Sequence, residues 1–163
     1  MNLIVAVSSN WGIGNNNDLL FRIREDLIRF KNITTGKVVV MGHNTYKSLG
    51  KPLPNRVNIV LSRNTSLEIP GVVICDSIQA LEQQITEDAF VIGGEQIYRQ
   101  LLHKCKFAFV TKVNAAPPAN VFMPNLDELP QWKLVEESPI NIFGNLEYSY
   151  CMYSRNEEVF DEQ

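Results

Sequence analysis

KVVVMGHNTYKSLGKPLPNRVNIVLS, residues 37–62, carries the pattern on which most of the chain is built. Two β-branched apolar runs, 37–42 and 56–62, have the length of strands, and a helical pattern near 44–49 lies between them. Because both runs are continuously apolar, we expect strands that are covered on both faces, as in a parallel sheet between helices.

The same alternation extends to both sides of this segment. Strands are predicted at 2–8, 71–75 and 89–94, and helices at 24–34, 77–86 and 95–104, with Ser77 as an N-cap. After Phe107 the pattern changes to strands at 107–113, 132–137 and 146–155, separated by turn-rich segments at 114–120 and 141–145. Sequential strands joined by loops favour antiparallel pairing. We therefore predict one α/β domain over 1–163, with a mixed, mostly parallel central sheet flanked by helices on both faces and antiparallel C-terminal strands.

Composition excludes several classes of function. The net charge of -3 argues against nucleic acid as the main partner, because such binding needs a basic face. Cys75, Cys105 and Cys151 are odd in number and show no C-x-x-C spacing, and His43 and His103 are the only histidines, so no disulfide framework and no metal site is predicted. No stretch has the length of a membrane span and no leader pattern is visible. We expect a cytoplasmic protein with reduced cysteines.

The predicted sheet brings several polar strand ends together. In open α/β sheets, ligands bind beyond the carboxyl ends of the strands, where helix N-termini offer free N–H groups to phosphates. Three strand ends fit this pattern: Gly42 with Asn44 or Thr45, Ser62 with Arg63, and Gly93 with Gly94. Each is also compatible with an ordinary cap, loop or turn. Together they could hold a dinucleotide, although the chain has no G-x-G-x-x-G or P-loop motif and so does not match an ordinary Rossmann domain or P-loop kinase.

Asp26 poses a separate question. A helix over 24–34 places Asp26 on the same face as Ile23 and Phe30, while Glu25 and Arg29 form an i,i+4 pair on a more exposed side. One interpretation is an acid that complements the helix dipole in the first turn. The other is a partly buried carboxylate, without a cation in register, that binds or protonates a ligand.

Two further segments have alternative interpretations. The polar, glycine-containing loop at 8–20 carries Trp11, Ile13 and Leu19, which could close over a ligand as a lid or simply pack on the surface. Arg56, just before a strand, is either a solvated turn residue or a bidentate clamp for a substrate carboxylate.

Six segments, in order along nearly the whole chain, resemble the dihydrofolate reductase family: IVAV, GIGNNNDLL, EDLIRFKNIT, VVVMGHNTYKSLGKPLPNRVNIVLSRN, FVIGGEQIY and FVTKV. The resemblance implies NADPH-dependent reduction of 7,8-dihydrofolate to 5,6,7,8-tetrahydrofolate, which supplies one-carbon metabolism and is a target of antifolates. It implies hydride transfer to the pterin C6 and protonation at N5, through water whose access the loop controls. It also implies a monomer that binds dihydrofolate and NADPH, without a metal, a membrane or a nucleic acid.

The resemblance assigns roles to individual residues on the substrate side. Asp26 would hydrogen-bond the amino group and ring nitrogen of the pterin, either donating the proton or polarising the ring. Thr111 would support this acid and a bound water, and Phe21 is a third catalytic position. Arg56 would bind the glutamate carboxylate. The pterin and aminobenzoyl pocket would comprise Ile4, Val5, Ala6, Leu27, Phe30, Leu49, Leu53 and Ile92.

The implied cofactor site extends over four strand ends. Ala6, Ile13 and Gly14 would face the nicotinamide, and Thr45 and Gly94 the diphosphate. The adenosine phosphate would be surrounded by His43, Asn44, Ser62 and Arg63. The remaining positions of the implied cofactor site are Gly42, Leu61, Gly93, Glu95, Gln96, Ile97 and Tyr98.

This chain departs from the family pattern at three places. Leu20-Phe21 stands where the family often has Pro-Trp, which bears on loop closure and water placement. His43 replaces a frequent phosphate-binding arginine, so that the choice of NADPH over NADH would depend more on Arg63. Asn120 replaces a lid-steadying acid. Two alternatives to this function are a related reductase of riboflavin synthesis, against which Arg56 argues, and a regulatory module that binds NADPH without turnover.

Overall fold

The computed structural model describes residues 1–156 of the chain. Its strands are β1 (Asn2–Val7), β2 (Gly12–Asn15), β3 (Asp18–Leu19), β4 (Val38–Gly42), β5 (Val57–Leu61), β6 (Val72–Cys75), β7 (Phe90–Gly93), β8 (Phe107–Val113), β9 (Val121–Phe122), β10 (Trp132–Glu137), β11 (Asn141–Phe143) and β12 (Leu146–Arg155). Its α-helices are α1 (Arg24–Thr34), α2 (His43–Leu49), α3 (Ile78–Glu82) and α4 (Glu95–Leu101). The predicted domain extends to 163, and 157–163 lie outside the described residues.

One nine-stranded sheet forms the centre of the fold. Eight strands follow the order β10-β12-β8-β1-β7-β4-β5-β6, and β11 pairs with β12. The strands from β8 to β6 in this order pair in parallel, whereas β12 is antiparallel to β8, β10 and β11. The predicted mixed sheet with antiparallel C-terminal strands is therefore confirmed.

The sequence of strand β4 is continuously apolar because both faces of the strand are buried. Val38 and Val40 join a core cluster that includes side chains of α3 and α4, whereas Val39 and Met41 join a second cluster against which Tyr46 of α2 packs. Successive side chains of a strand point to opposite faces, so both faces of β4 are buried beneath helices. The prediction of helices on both faces is confirmed.

Helix boundaries differ from the prediction in three places. Helix α2 begins at His43, one residue early, and α4 ends at Leu101 and continues as a 3-10 helix over Leu102–Lys104. Ser77 caps α3 as predicted, accepting a hydrogen bond from the Ala80 N–H at 3.1 Å. However, α3 ends at Glu82 rather than at 86, because the chain turns there and Ile85 packs onto the core from outside the helix.

The segment 8–20 is more ordered than the predicted loop. Strands β2 and β3 form a hairpin, and β2 also pairs with β9, giving a three-stranded sheet. The hairpin turn is made by Asn16 and Asn17, both with positive φ, a conformation that asparagine tolerates well. The segment 141–145 also differs, because β11 pairs with the start of β12 through a turn at Gly144, which has a φ of 61°.

Within residues 1–156, the helices lack the length and the apolar character that a transmembrane helix requires.

Candidate active site

Asp26 and Thr111 meet across the gap between α1 and the sheet. The Thr111 hydroxyl, on β8, donates a hydrogen bond of 2.6 Å to Asp26 Oδ1, on α1. Thr111 is buried and lies between Ala6 of β1 and Tyr150 of β12 in the sheet register. The sheet therefore fixes the position of the hydroxyl, and the hydroxyl orients the carboxylate.

The surroundings of Asp26 favour a protonated carboxyl. Burial raises the pKa of Asp26 above its ordinary value, while the hydrogen bond from Thr111 and the positive charge of Arg29 act in the opposite direction without cancelling it. Residue Ile23 occupies the N-cap of α1 and provides no side-chain cap. Asp26 lies in the first turn of α1, as the dipole interpretation requires, and its carboxylate is hydrogen-bonded to the sheet through Thr111.

Arg29 corrects two details of the sequence prediction. A cation does lie in register with Asp26, one helical turn further along α1, and it acts on the carboxyl. Arg29 does not pair with Glu25 among the described residues; its guanidinium carbon lies 3.9 Å from the centroid of the Tyr150 ring. The contact of the Arg29 guanidinium is therefore a cation–π contact with the Tyr150 ring.

The predicted apolar pocket residues come from five separate segments. Ile4 and Val5 are buried in β1, while Ala6, Phe30, Leu53 and Ile92 are half-buried. Leu53 and Ile92 pack against one core cluster, and Phe21 and Tyr150 pack against another that includes Ile23. Leu27 and Leu49 are 45% and 39% exposed. An apolar surface of this kind beside a few polar groups is typical of a small-molecule site.

The Arg56 side chain is half-buried, and its guanidinium is hydrogen-bonded to two neighbouring residues. Its Nε donates to the Pro54 carbonyl at 2.9 Å and its Nη1 to the Thr34 hydroxyl at 3.1 Å. Burial lowers the pKa of Arg56 from its ordinary value, although not enough to remove its charge. No salt bridge of Arg56 is present among residues 1–156, and two of its nitrogens are hydrogen-bonded to the protein.

Asn58 is a supporting residue that the sequence prediction missed. This buried side chain accepts from the Leu53 N–H at 2.9 Å and donates to the carbonyls of Leu53 and Arg56 at 2.9 and 3.1 Å. It thereby fixes the loop that carries two predicted substrate residues. An asparagine within an apolar strand pattern, as in RVNIVLS, was the available signal.

The strand ends predicted to hold a cofactor lie close together. The peptide bond between Gly93 and Gly94 is cis, and a Cβ atom built on Gly94 would lie 3.3 Å from Thr45 Oγ1. The Tyr98 hydroxyl donates to the Ile4 carbonyl at 2.7 Å, which connects α4 to β1. Because Gly94 has no side chain, its backbone is open to close approach by a ligand.

A cleft of about 240 Å³ lies beside the ends of β5 and β6. Four of its lining residues were predicted: Leu61, Ser62, Arg63 and Ile97. Four were missed: Asp76, Ser77, Ile78 and Gln100. His43 and Asn44 do not line it. Asp76, Ser77 and Ile78 follow β6, whose end adjoins that of β5, and Gln100 comes from α4, so the packing of these elements was the information needed to find them.

The β2–β3 hairpin is tied to the rest of the site. The Asn16 N–H donates to Asn120 Oδ1 at 3.2 Å, and Asn120 Nδ2 donates to Asn16 Oδ1 at 3.1 Å. The Ser48 hydroxyl of α2 donates to the Asn17 carbonyl at 3.1 Å. Asn120, which stands where some family members have an acid, therefore makes two reciprocal hydrogen bonds to Asn16 of the hairpin. Ile13 and Gly14, predicted to face the nicotinamide, lie on β2 in this hairpin.

Glu95 and Gln96 occupy the first turn of α4. The Glu95 carboxylate accepts a hydrogen bond of 2.5 Å from the Phe122 N–H of β9, and its other oxygen lies 3.8 Å from Arg99 Nε. Gln96 is exposed. Glu95 therefore links the predicted cofactor helix to the small sheet, a role that the sequence did not indicate.

The fold and these contacts can be compared with known proteins. The family profile of Dihydrofolate reductase matches residues 1–155. The chain belongs to the dihydrofolate reductase family. Dihydrofolate reductase of Bacillus subtilis is 33% identical over 159 residues, covering 95% of this chain and 94% of that protein. Dihydrofolate reductase type 3 of Salmonella typhimurium is 36% identical over 140 residues, covering 85% of this chain and 86% of that protein.

Among solved structures, dihydrofolate reductase from Enterococcus faecalis, complexed with NADP(H) and RAB-propyl, has a TM-score of 0.86 to this chain. It is 25% identical in sequence, and the alignment covers 96% of both chains. The protein is accordingly an NADPH-dependent oxidoreductase that reduces dihydrofolate to tetrahydrofolate. The open glycine backbone at Gly94 and the Arg63-containing cleft fit a phosphate-bearing dinucleotide.

Proposed function

We propose that Asp26 is the acid of the dihydrofolate reductase reaction and that Thr111 positions it. The observation that carries this proposal is the 2.6 Å bond from a buried hydroxyl to a half-buried carboxyl whose pKa is raised. A carboxyl that retains its proton nearer to neutrality can promote protonation at the pterin N5. The ring-binding oxygen would be the one that Thr111 leaves free.

Substrate binding is proposed to involve side chains of α1, α2 and the 53–56 loop. Leu27, Phe30 and Leu49 supply apolar surface on two helices. Arg56 supplies a guanidinium already held at Thr34 and Pro54, which reduces the conformational freedom lost on binding a carboxylate. Such preorganisation supports the role of Arg56 as the clamp for the glutamate part of the substrate.

NADPH, when bound, supplies the hydride that reduces the pterin C6. Thr45, Gly93 and Gly94 would hold its diphosphate, because they combine a hydroxyl with unobstructed backbone. Ser62 and Arg63 would hold the additional phosphate of the adenosine in the cleft beside the ends of β5 and β6. The β2–β3 hairpin would exclude water from the reacting ends, since its bonds to Asn120 and Ser48 keep it beside α2.

We further propose a monomeric, single-domain protein over 1–163 that acts in the cytoplasm. The three cysteines are free and buried, which suits a reducing compartment.

The role of Thr111 can be tested with two substitutions of similar size. Thr111→Val removes the hydroxyl and keeps the shape, whereas Thr111→Ser keeps the hydroxyl. We expect Thr111→Val to reduce the rate of dihydrofolate-dependent NADPH oxidation by up to about tenfold, because the hydroxyl orients the acid and a side-chain hydrogen bond contributes about 0.5–1.5 kcal/mol. Thr111→Ser should retain most of the rate. Equal rates in the two variants, with native-like thermal unfolding, would contradict the positioning role.

A further inference from the structure

Arg29, Asp26, Thr111 and Tyr150 form a closed arrangement across α1 and the sheet. Asp26 accepts the hydrogen bond from Thr111, and Thr111 is opposite Tyr150 in the antiparallel pairing of β8 with β12. The Tyr150 ring lies 3.9 Å from the Arg29 guanidinium, and Arg29 follows Asp26 by one helical turn. A substitution at Arg29, Thr111 or Tyr150 would therefore alter the surroundings of the Asp26 carboxyl.

The stack on Tyr150 fixes the position of the positive charge. An arginine on a helix surface ordinarily samples many rotamers, whereas a guanidinium over an aromatic face is attracted to the ring and held there. No acid of the described residues lies within ion-pair distance of Arg29. Its charge is thus not neutralised by a direct pair and acts on Asp26 through space.

We propose that Arg29 is a positioning residue that sets the pH range over which Asp26 holds its proton, with the Tyr150 ring holding the guanidinium in place. The inference rests on the proposed role of Asp26 for its effect on the reaction. It does not rest on that role for the coupling between the two charges. Arg29 is not proposed to touch substrate or cofactor.

The sign of the effect follows from the surroundings of Asp26. Burial raises the pKa of this carboxyl, and Arg29 opposes the rise by favouring the ionised form. Removing the charge of Arg29 should therefore raise the pKa of Asp26 further. A reaction that needs protonated Asp26 would then continue to higher pH.

Other titratable groups near this arrangement do not replace Arg29. From β12, Tyr150 stays a neutral phenol in the working range, since burial raises its pKa to about 12. From β10, Glu136 and Glu137 line a cleft of about 310 Å³ together with Arg29, and a negative charge near Asp26 would favour the protonated carboxyl, the opposite of the effect of Arg29. From β8, the Lys112 ammonium is bound to Asp127 at 2.8 Å. Arg29 is the cation that acts on Asp26 among the described residues.

A purely structural role for Arg29 makes a different prediction. If Arg29 only packs its stem and guanidinium on Tyr150, then its removal would lower stability without moving the titration of Asp26. Arg29→Gln removes the charge and keeps a polar side chain, while Arg29→Lys keeps the charge. Tyr150→Phe is a matched control, because it keeps the ring and the stack and removes only the hydroxyl.

The experiment follows the Asp26 carboxyl directly by NMR in protein carrying ¹³C-labelled aspartate carboxyls, with Asp26→Asn to assign the signal. We expect the midpoint of the titration to move to higher pH in Arg29→Gln, and to stay near the parent value in Arg29→Lys and Tyr150→Phe. Thermal unfolding would verify that each variant is folded. A folded Arg29→Gln protein with the parent midpoint would overturn the inference, as would equal shifts in Arg29→Gln and Arg29→Lys.

The pH profile of hydride transfer separates this inference from the proposed role of Asp26. In single-turnover measurements with NADPH and dihydrofolate, we expect the midpoint of the rate to move upward in Arg29→Gln together with the carboxyl titration. If the carboxyl titration moves and the rate midpoint does not, then the coupling of Arg29 to Asp26 is supported and the role of Asp26 as the acid is overturned. Should Arg29→Gln not fold, Arg29→Met offers a second uncharged side chain that can still pack on Tyr150.

Discussion

Replacing Asp26 with asparagine should separate the chemical role of this residue from its structural role. The asparagine side chain would keep nearly the same shape, and its amide oxygen could still accept the 2.6 Å bond from the Thr111 hydroxyl. It cannot hold a negative charge or transfer a proton. Because a positioned general acid contributes about 10²–10⁴-fold, we expect Asp26→Asn to slow dihydrofolate reduction by that factor at neutral pH. Part of the rate should return in acid, where solvent protonates N5.

The same substitution should stabilise the protein increasingly as pH rises. Burial raises the pKa of Asp26, so the folded state binds the proton more tightly than the unfolded chain does. Ionisation of Asp26 therefore costs folding free energy, beginning above the unfolded value of 3.8 and complete above the folded pKa. Each rise of one unit in the folded-state pKa corresponds to a loss of about 1.4 kcal/mol in the free energy of unfolding. The Asp26→Asn substitution removes this cost, so the stability of the variant relative to the parent should increase between acid and neutral pH.

A control for this stability change is Asp127→Asn. Burial opposes ionisation of Asp127, but hydrogen bonds from Lys112 and Tyr153 outweigh it and hold the pKa below the ordinary value. The Asp127 carboxylate thus stabilises the folded protein above the unfolded pKa and loses this effect as pH falls through the folded pKa. We expect Asp127→Asn to be less stable than the parent at neutral pH, opposite to Asp26→Asn.

Stopped-flow hydride transfer and denaturant unfolding, each measured across pH, provide the test. NADPH binding, followed by fluorescence, should change little in Asp26→Asn, since Asp26 lies on the substrate side. Near-parental rates at neutral pH would show that Asp26 only begins a helix. A stability difference that does not vary with pH would refute the argument from burial.

Two arginine substitutions should act on different ligands. Arg56→Leu should weaken dihydrofolate binding by about tenfold or more with little change in hydride transfer from the bound complex, because a charge-assisted pair contributes about 1.5–3 kcal/mol and a remote clamp supplies uniform binding. Equilibrium titration would check this, and an unchanged Kd would remove Arg56 from the site. Arg63→Ala should reduce the NADPH over NADH ratio of kcat/KM by roughly fivefold, as expected for loss of an exposed ion pair. The idea fails if this ratio is unchanged. Each variant serves as the control for the other, since Arg56→Leu should keep NADPH affinity and Arg63→Ala dihydrofolate affinity.

The order of elements and the sheet class were determined by the sequence alone. The β4 run, Val38–Met41, is apolar at every position because helices cover both faces, and that burial is visible as a lack of alternation. Ser77 was identified as a cap because its side chain acts on the backbone only three residues away. Such features depend on near neighbours in the chain, and the printed sequence contains those neighbours.

The sequence also identified Asp26 as an exception on an apolar helix face, but it did not indicate the tertiary contact of the Asp26 carboxylate. Two interpretations were compatible with an acid in that place, and the contact is with Thr111, which is 85 positions away and reaches Asp26 only through the pairing of β8 with the sheet. The resemblance to a family named both residues. Only the folded chain gave the distance between them and the burial that raises the pKa.

Other parts of the site were determined only by tertiary structure. Asp76 and Gln100 line one cleft from the segment after β6 and from α4, and Arg29 reaches Tyr150 across 121 positions of chain. Local pattern cannot specify such contacts, because a polar side chain on a helix or after a strand has many exposed alternatives of similar free energy. Which alternative is adopted depends on the partner that the sheet places beside it, and that partner comes from a distant part of the chain.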